Sequence, residues 1–172
     1  MLFLTAKPWV ICSLMIAVPI IGTLMVVLVA NLTGISGLIS IVTPLLFLAI
    51  IITYFGWLWN AGTHLPTDRH SRRLFGIVYL SSLFCAFIVV PTLGVIAKES
   101  LASLLDVIRI LNFGGLLYCV HLIRKGFYER MVEAGLPTAP AFVDFLLIWI
   151  LPIGIWFIQP KVIRVLKTER EN

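Results

Sequence analysis

Charge is what this chain has least of. Only 12% of its 172 residues are Asp, Glu, Lys or Arg, against about 25% in an average soluble domain. From Pro8 to Thr67 there are sixty residues without a single one. A water-soluble fold of this length would have to expose much of its 60% hydrophobic content, so the composition selects lipid as the solvent. Three cysteines, odd in number and without CxxC spacing, suggest neither a disulfide framework nor a redox pair. Cys12, Cys85 and Cys119 instead read as small packing residues within apolar runs. No GxGxxG, GxxxxGK[ST], GxSxG or HExxH is present, which disfavours Rossmann oxidoreductases, phosphate-loop ATPases, nucleophile-elbow hydrolases and zincins. No internal repeat is evident.

What the chain does have is length of apolar sequence. A hydrocarbon layer about 30 Å thick takes roughly 20 helical residues to cross. The charge-free stretch, broken at Asn31-Leu-Thr-Gly-Ile-Ser-Gly37, divides into spans at 9–32 and 38–59, a membrane hairpin. The first is too long for a signal-peptide core and is read as a retained helix. A third span covers 74–97. A fourth, after Lys98-Glu-Ser, covers 101–123 and is interrupted by Asp106 and Arg109. A further apolar run, 145–158, is short for a crossing and carries Pro152 and Gly154 at its middle. The expected fold is an all-α membrane protein: one integral membrane domain, a four-helix transmembrane bundle. A short C-terminal re-entrant, interfacial or fifth membrane segment follows, then a basic tail at 159–172.

Lys and Arg in short connections stay on the cytoplasmic side. Lys7 precedes span one, Arg69, Arg72 and Arg73 lie between spans two and three, and Arg124, Lys125 and Arg130 follow span four. An inside N-terminus with four crossings satisfies all of them. Lys161, Arg164, Lys167 and Arg170 ask for an inside C-terminus too, which favours a re-entrant or interfacial last segment over a fifth crossing. Trp9, Tyr54, Trp57 and Trp59 fall at the expected inner ends of spans one and two, where aromatic rings anchor at headgroup level. The formal net charge of +5 lacks the interleaved aromatic residues of a base-stacking surface. Anionic headgroups, not nucleic acid, are the expected partners of Arg69, Arg72, Arg73, Arg124, Lys125, Lys161, Arg164 and Lys167.

Among polar residues the sharpest group is Asp106, Arg109 and Asn112, spaced three apart on one helix face. It suits either a polar vestibule near the outer surface or an interfacial turn. His64, Asp68 and His70 match no zinc spacing, and no metal or cofactor is expected. Arg124–Ala134 reads as a short amphipathic helix with Glu129 and Glu133 on its solvated side. Pro19, Pro44 and Pro91 sit near mid-span, where each removes a backbone hydrogen bond and bends its helix.

The segments Tyr54-Phe-Gly-Trp-Leu-Trp59, Phe113-Gly-Gly-Leu-Leu-Tyr-Cys119 and Pro152-Ile-Gly-Ile-Trp-Phe-Ile-Gln-Pro-Lys161 resemble a group of small bacterial multi-pass membrane proteins. Those proteins end in a similar Pro-Ile-Gly-x-Trp-x-x-Gln-Pro-basic motif. The resemblance implies a bacterial inner-membrane location and transfers no catalytic residue. It singles out Pro152, Gly154, Trp156, Gln159 and Pro160. Physically, Pro152 and Gly154 should break the segment, Trp149 and Trp156 should share a face if the helix continues, and Gln159-Pro160 should end it. The reading is a non-enzymatic membrane accessory or interaction module with lipid, homo-oligomer or other membrane-protein contacts. The alternative is a small oligomeric channel or transporter. A third reading, a lipid-modifying membrane enzyme, has only Glu129, Glu133 and His121 to offer.

Overall fold

The computed structural model of the chain describes residues 6–34, 37–96 and 102–171. The expected connection Lys98-Glu-Ser lies outside them. The described residues form helices and short turns, with no strand among them. Helix α1 runs as Pro8–Cys12, a π-turn at Ser13–Ala17, and Val18–Thr33. It stops at Gly34 in the left-handed conformation, φ 73°, the backbone region only glycine enters without strain. Helix α2 is Gly37–His64. Helix α3 runs as Arg69–Phe84, a π-turn at Cys85–Val89, and Val90–Ile96. Helix α4 is Ala102–Glu133, α5 is Ala141–Trp149 and α6 is Leu151–Glu171. Four stretches, Pro8–Thr33, Val42–His64, Arg69–Val95 and Ala102–Glu133, are long and apolar enough to cross a membrane. This is an all-α membrane fold.

The two π-turns have one cause. Proline has no N–H and its ring collides with the carbonyl four residues back. Ahead of Pro19 and Pro91 the helix widens by one residue, so the amide just before each proline reaches back five residues. Val18 N–H donates to Ser13 O, and Val90 N–H donates to Cys85 O. The shared geometry exposes a repeat that composition hides. Ile16-Ala-Val-Pro-Ile-Ile-Gly22 and Ile88-Val-Val-Pro-Thr-Leu-Gly94 follow one pattern, Ile-x-Val-Pro-x-x-Gly. Pro44 lies inside α2 without a π-turn.

Several boundaries differ from expectation. The basic loop between spans two and three is shorter than expected, because Arg69, Arg72 and Arg73 lie in the first turns of α3. Asp68 starts that helix by accepting from the Ser71 N–H, a cap that offsets three cations at the positive end of the helix dipole. The separate amphipathic helix expected at Arg124–Ala134 is the continuation of α4, which has no break at the polar boundary. Nor does Gln159-Pro160 end the last helix: Pro160 lies inside α6 and the basic tail is helical to Glu171. Trp149 and Trp156 do not share a helix. One ends α5 and the other belongs to α6, with the axes turned by 112° between them.

The chain divides into two compact units, residues 1–60 with 142–172, and residues 61–141. In the first unit α6 packs its Ile155, Ile158, Val162 and Val165 face inward, and α6 contacts the Pro8–Cys12 turns of α1. In the second, α3 and α4 pack along each other. Phe75 and Tyr79 stack at 5.2 Å between ring centroids, and both are buried.

Candidate functional site

Within each unit most of the buried side chains gather toward one end of the spans, Ala30 and Leu105 being the buried residues near the other end. On α1, Ile11 and Met15 are buried, while Ile20, Leu24 and Leu28 are exposed. On α2 the buried residues are Thr53, Trp57 and Leu58, while Leu45, Phe47 and Leu48 are exposed. In the second unit Phe75 and Tyr79 are buried, but Phe84, Phe87, Ile88 and Val95 are not. Helix α4 repeats the pattern, with Cys119, Ile123 and Phe127 buried and Leu104, Val107, Ile110 and Leu111 exposed. Each unit therefore has a packed end and an end whose apolar side chains lack protein cover.

The packed end of the first unit is organised by Gln159. Its side chain is fully buried among the aliphatic residues of α6, so its amide must find partners inside the protein. Trp57 Nε1 donates to Gln159 Oε1 at 2.9 Å, and Gln159 Nε2 donates to the Ala6 carbonyl at 3.0 Å. One amide thus ties the approach to α1, the body of α2 and the middle of α6. Gln159→Leu removes both bonds and strands the buried indole N–H. The loss should be about 2 kcal/mol, read as a lower midpoint of thermal unfolding in detergent. An unchanged midpoint would remove Gln159 from the account.

Around this clamp, Tyr54 Oη donates to the Trp149 carbonyl at 3.3 Å. Asp144 is buried with Lys161 Nζ 3.7 Å from its Oδ1, an ion pair too long for a hydrogen bond. Gly154 allows the α5–α6 bend, since a Cβ there would stand 1.7 Å from the Leu147 carbonyl oxygen. Of the expected C-terminal motif, then, Gly154 and Gln159 are internal. Trp156 and Pro160 face outward, and Pro152 takes the second position of α6, where a proline costs no helical hydrogen bond.

The packed end of the second unit is organised by Arg130. Its Nε donates to the Leu65 carbonyl at 2.8 Å and its terminal nitrogen to the His64 carbonyl at 2.7 Å. It therefore closes the C-terminus of α2 from a helix more than sixty positions away. Arg72 donates to the Pro66 carbonyl at 3.0 Å, and Thr67 donates to Glu129. Gly126 lets the 65–66 backbone lie directly on α4, for a Cβ there would meet Pro66 Cα at 2.5 Å. Hydrogen bonds from the Ser71 N–H and hydroxyl hold the Asp68 carboxyl below its usual range.

The polar membrane group is only partly brought together. Arg109 and Asp106 pair at 2.8 Å and both are exposed. Asn112 Oδ1 is buried with no hydrogen-bond partner among the described residues. Of the expected headgroup residues, Arg69, Arg72, Arg73, Lys125, Arg164 and Lys167 are exposed, and Arg72, Arg124, Lys125 and Lys161 make contacts within the protein. Glu129 is paired with Lys125 at 3.8 Å as well as with Thr67.

In the first unit a groove of about 400 Å³ lies between α1 and α2. It is lined by Met15, Pro19, Leu24, Phe47 and Ile50, among others, and contains no charged side chain. Among the described residues no three His, Cys, Asp or Glu side chains come together as metal ligands would.

The residues that organise both packed ends, Gln159, Arg130 and Gly126, were not singled out from sequence for these roles. A readable signal existed for Gln159, an uncharged polar side chain inside an aliphatic helix face. None existed for Arg130, whose partners are backbone carbonyls distant in sequence. Comparison of the chain with protein-family models, curated proteins and solved structures found no match.

Proposed function

We propose that the chain is a multi-pass protein of a bacterial inner membrane, with both ends cytoplasmic. It acts without chemistry of its own, as an accessory or interaction module. The observation that carries this reading is the division of each unit into a packed end and an open apolar end. An enzyme or a pore concentrates polar groups where its work is done. Here the polar networks tie helices together or close helix ends, while many exposed side chains along the spans are apolar. Such surfaces suit contacts with lipid and with partner helices, a second copy of this chain included. The similarity of Pro152–Lys161 to the C-terminal motif of small bacterial membrane proteins supports the location.

Photo-crosslinking in intact cells tests this. A photoreactive residue at Leu24, Leu28 or Ile110 should give discrete protein adducts of constant mass, and the same residue at the buried Ile123 position should give none. Lipid adducts alone would refute the interaction module. The channel reading is kept for Asp106 and Arg109, an exposed ion pair near the start of α4. Ion leakage through liposomes carrying the pure protein, abolished by Asp106→Ala, would favour it instead.

A further inference from the structure

Helix α4 has two faces where it leaves the apolar region. At 3.6 residues per turn, Leu122, Ile123, Gly126 and Phe127 share one side, and all four are buried. The other side carries Tyr118, His121, Arg124, Lys125 and Tyr128 within an arc of about 120°. Tyr118 and Tyr128 are 42% and 41% exposed, and His121 and Lys125 are exposed as well. The rings of Tyr118 and His121 stack at 6.4 Å, and the Arg124 guanidinium lies 5.8 Å from the centre of the Tyr128 ring. This is an ordered ladder of aromatic and cationic groups at the point where α4 passes from apolar to charged sequence.

Two details point to an anion. Arg124 Nε is withdrawn from solvent with no hydrogen-bond partner among the described residues, although guanidinium N–H groups are strong donors that seldom go unmet. The nearby acid, Glu129, is already shared between Lys125 and Thr67, so it offsets Lys125 and leaves Arg124 unanswered. A phosphate matches the guanidinium fork. The rings of Tyr118 and Tyr128 suit the boundary between acyl chain and headgroup.

We propose that this face of α4 is a binding site for the phosphate of an anionic phospholipid, with Arg124 as the main contact. Lys125 and His121 flank it, and the two tyrosines bracket the headgroup. The site rests on the membrane reading above and sharpens it from diffuse attraction of a basic surface to one place on one helix.

The test is native mass spectrometry of the full chain purified in detergent, titrated with phosphatidylglycerol or phosphatidylcholine. The chain should retain phosphatidylglycerol in preference to phosphatidylcholine. Arg124→Gln with Lys125→Gln should weaken phosphatidylglycerol binding about tenfold, and Tyr128→Ala about threefold. Arg69→Gln with Arg73→Gln removes the same charge from exposed positions on α3 and should change binding less than about twofold. Equal losses from the two double variants would overturn the site in favour of non-specific attraction. Displacement of the lipid by inorganic phosphate at matching concentration would overturn a lipid in favour of the free ion. Failure of the membrane reading looks different: the chain would be released from membranes by alkaline carbonate before any lipid was added.

Discussion

Gly126→Ala should cost the second unit about 3 kcal/mol and lower its unfolding midpoint in detergent accordingly. The added methyl would stand 2.5 Å from Pro66 Cα, 2.6 Å from Pro66 N and 2.7 Å from the Leu65 carbonyl oxygen. These are all backbone atoms, so no side-chain rotation relieves the collision. The 65–66 segment must lift away from α4, and it would carry the Leu65 carbonyl off Arg130. Gly114→Ala on the same helix is the internal control. Nothing lies within 4 Å of its added methyl, so it should be neutral or stabilise by up to about 1 kcal/mol through helix propensity. If the two variants behaved alike, the close approach of the 65–66 backbone to α4 would be disproved.

The second large effect concerns the bend between α5 and α6. A Cβ at Gly154 would lie 1.7 Å from the Leu147 carbonyl oxygen and 2.4 Å from its carbon. Gly154→Ala is therefore incompatible with a 112° turn at this place. The helices must open, at a cost of about 3 kcal/mol, because opening also disturbs Asp144 against Lys161 and the Gln159 clamp. Spin labels at the exposed Val143 and Phe157 should report a longer and broader distance in Gly154→Ala than in the parent. Gly76→Ala, with nothing within 4 Å of the new methyl, should leave both distance and stability close to those of the parent. An unchanged label distance in Gly154→Ala would mean that glycine is not what permits the turn.

The four long helices were legible because each is announced by a run of apolar sequence long enough for the job. Their ends were not. Arg124 and Lys125 begin a charged stretch, and polarity alone made that change look like a helix boundary. The backbone continues because Gly126 and Phe127 still have a buried side to fill. Pro160 looked like a terminator. Yet α6 holds its course past it, because Ile158, Gln159, Val162 and Val165 bury one continuous face. In both cases packing outweighed a local signal. The junctions made by Arg130 and Gly126 join residues about sixty positions apart, and no local pattern encodes such a pairing. Of the candidate site residues, the Asp106–Arg109 pair followed from spacing alone, since side chains three apart on a helix are neighbours. The inward placement of Gln159 did not, because that needs knowledge of what lies opposite.

Inserting a single extra residue per turn at Ser13–Ala17 and Cys85–Val89 advances everything beyond it by about 100° around the axis. The portions of α1 and α3 on the two sides of each π-turn are consequently offset in phase. A helical wheel drawn through either span without that offset would assign the wrong flank to the bilayer. For α1 the count has to restart at Val18, and for α3 at Val90.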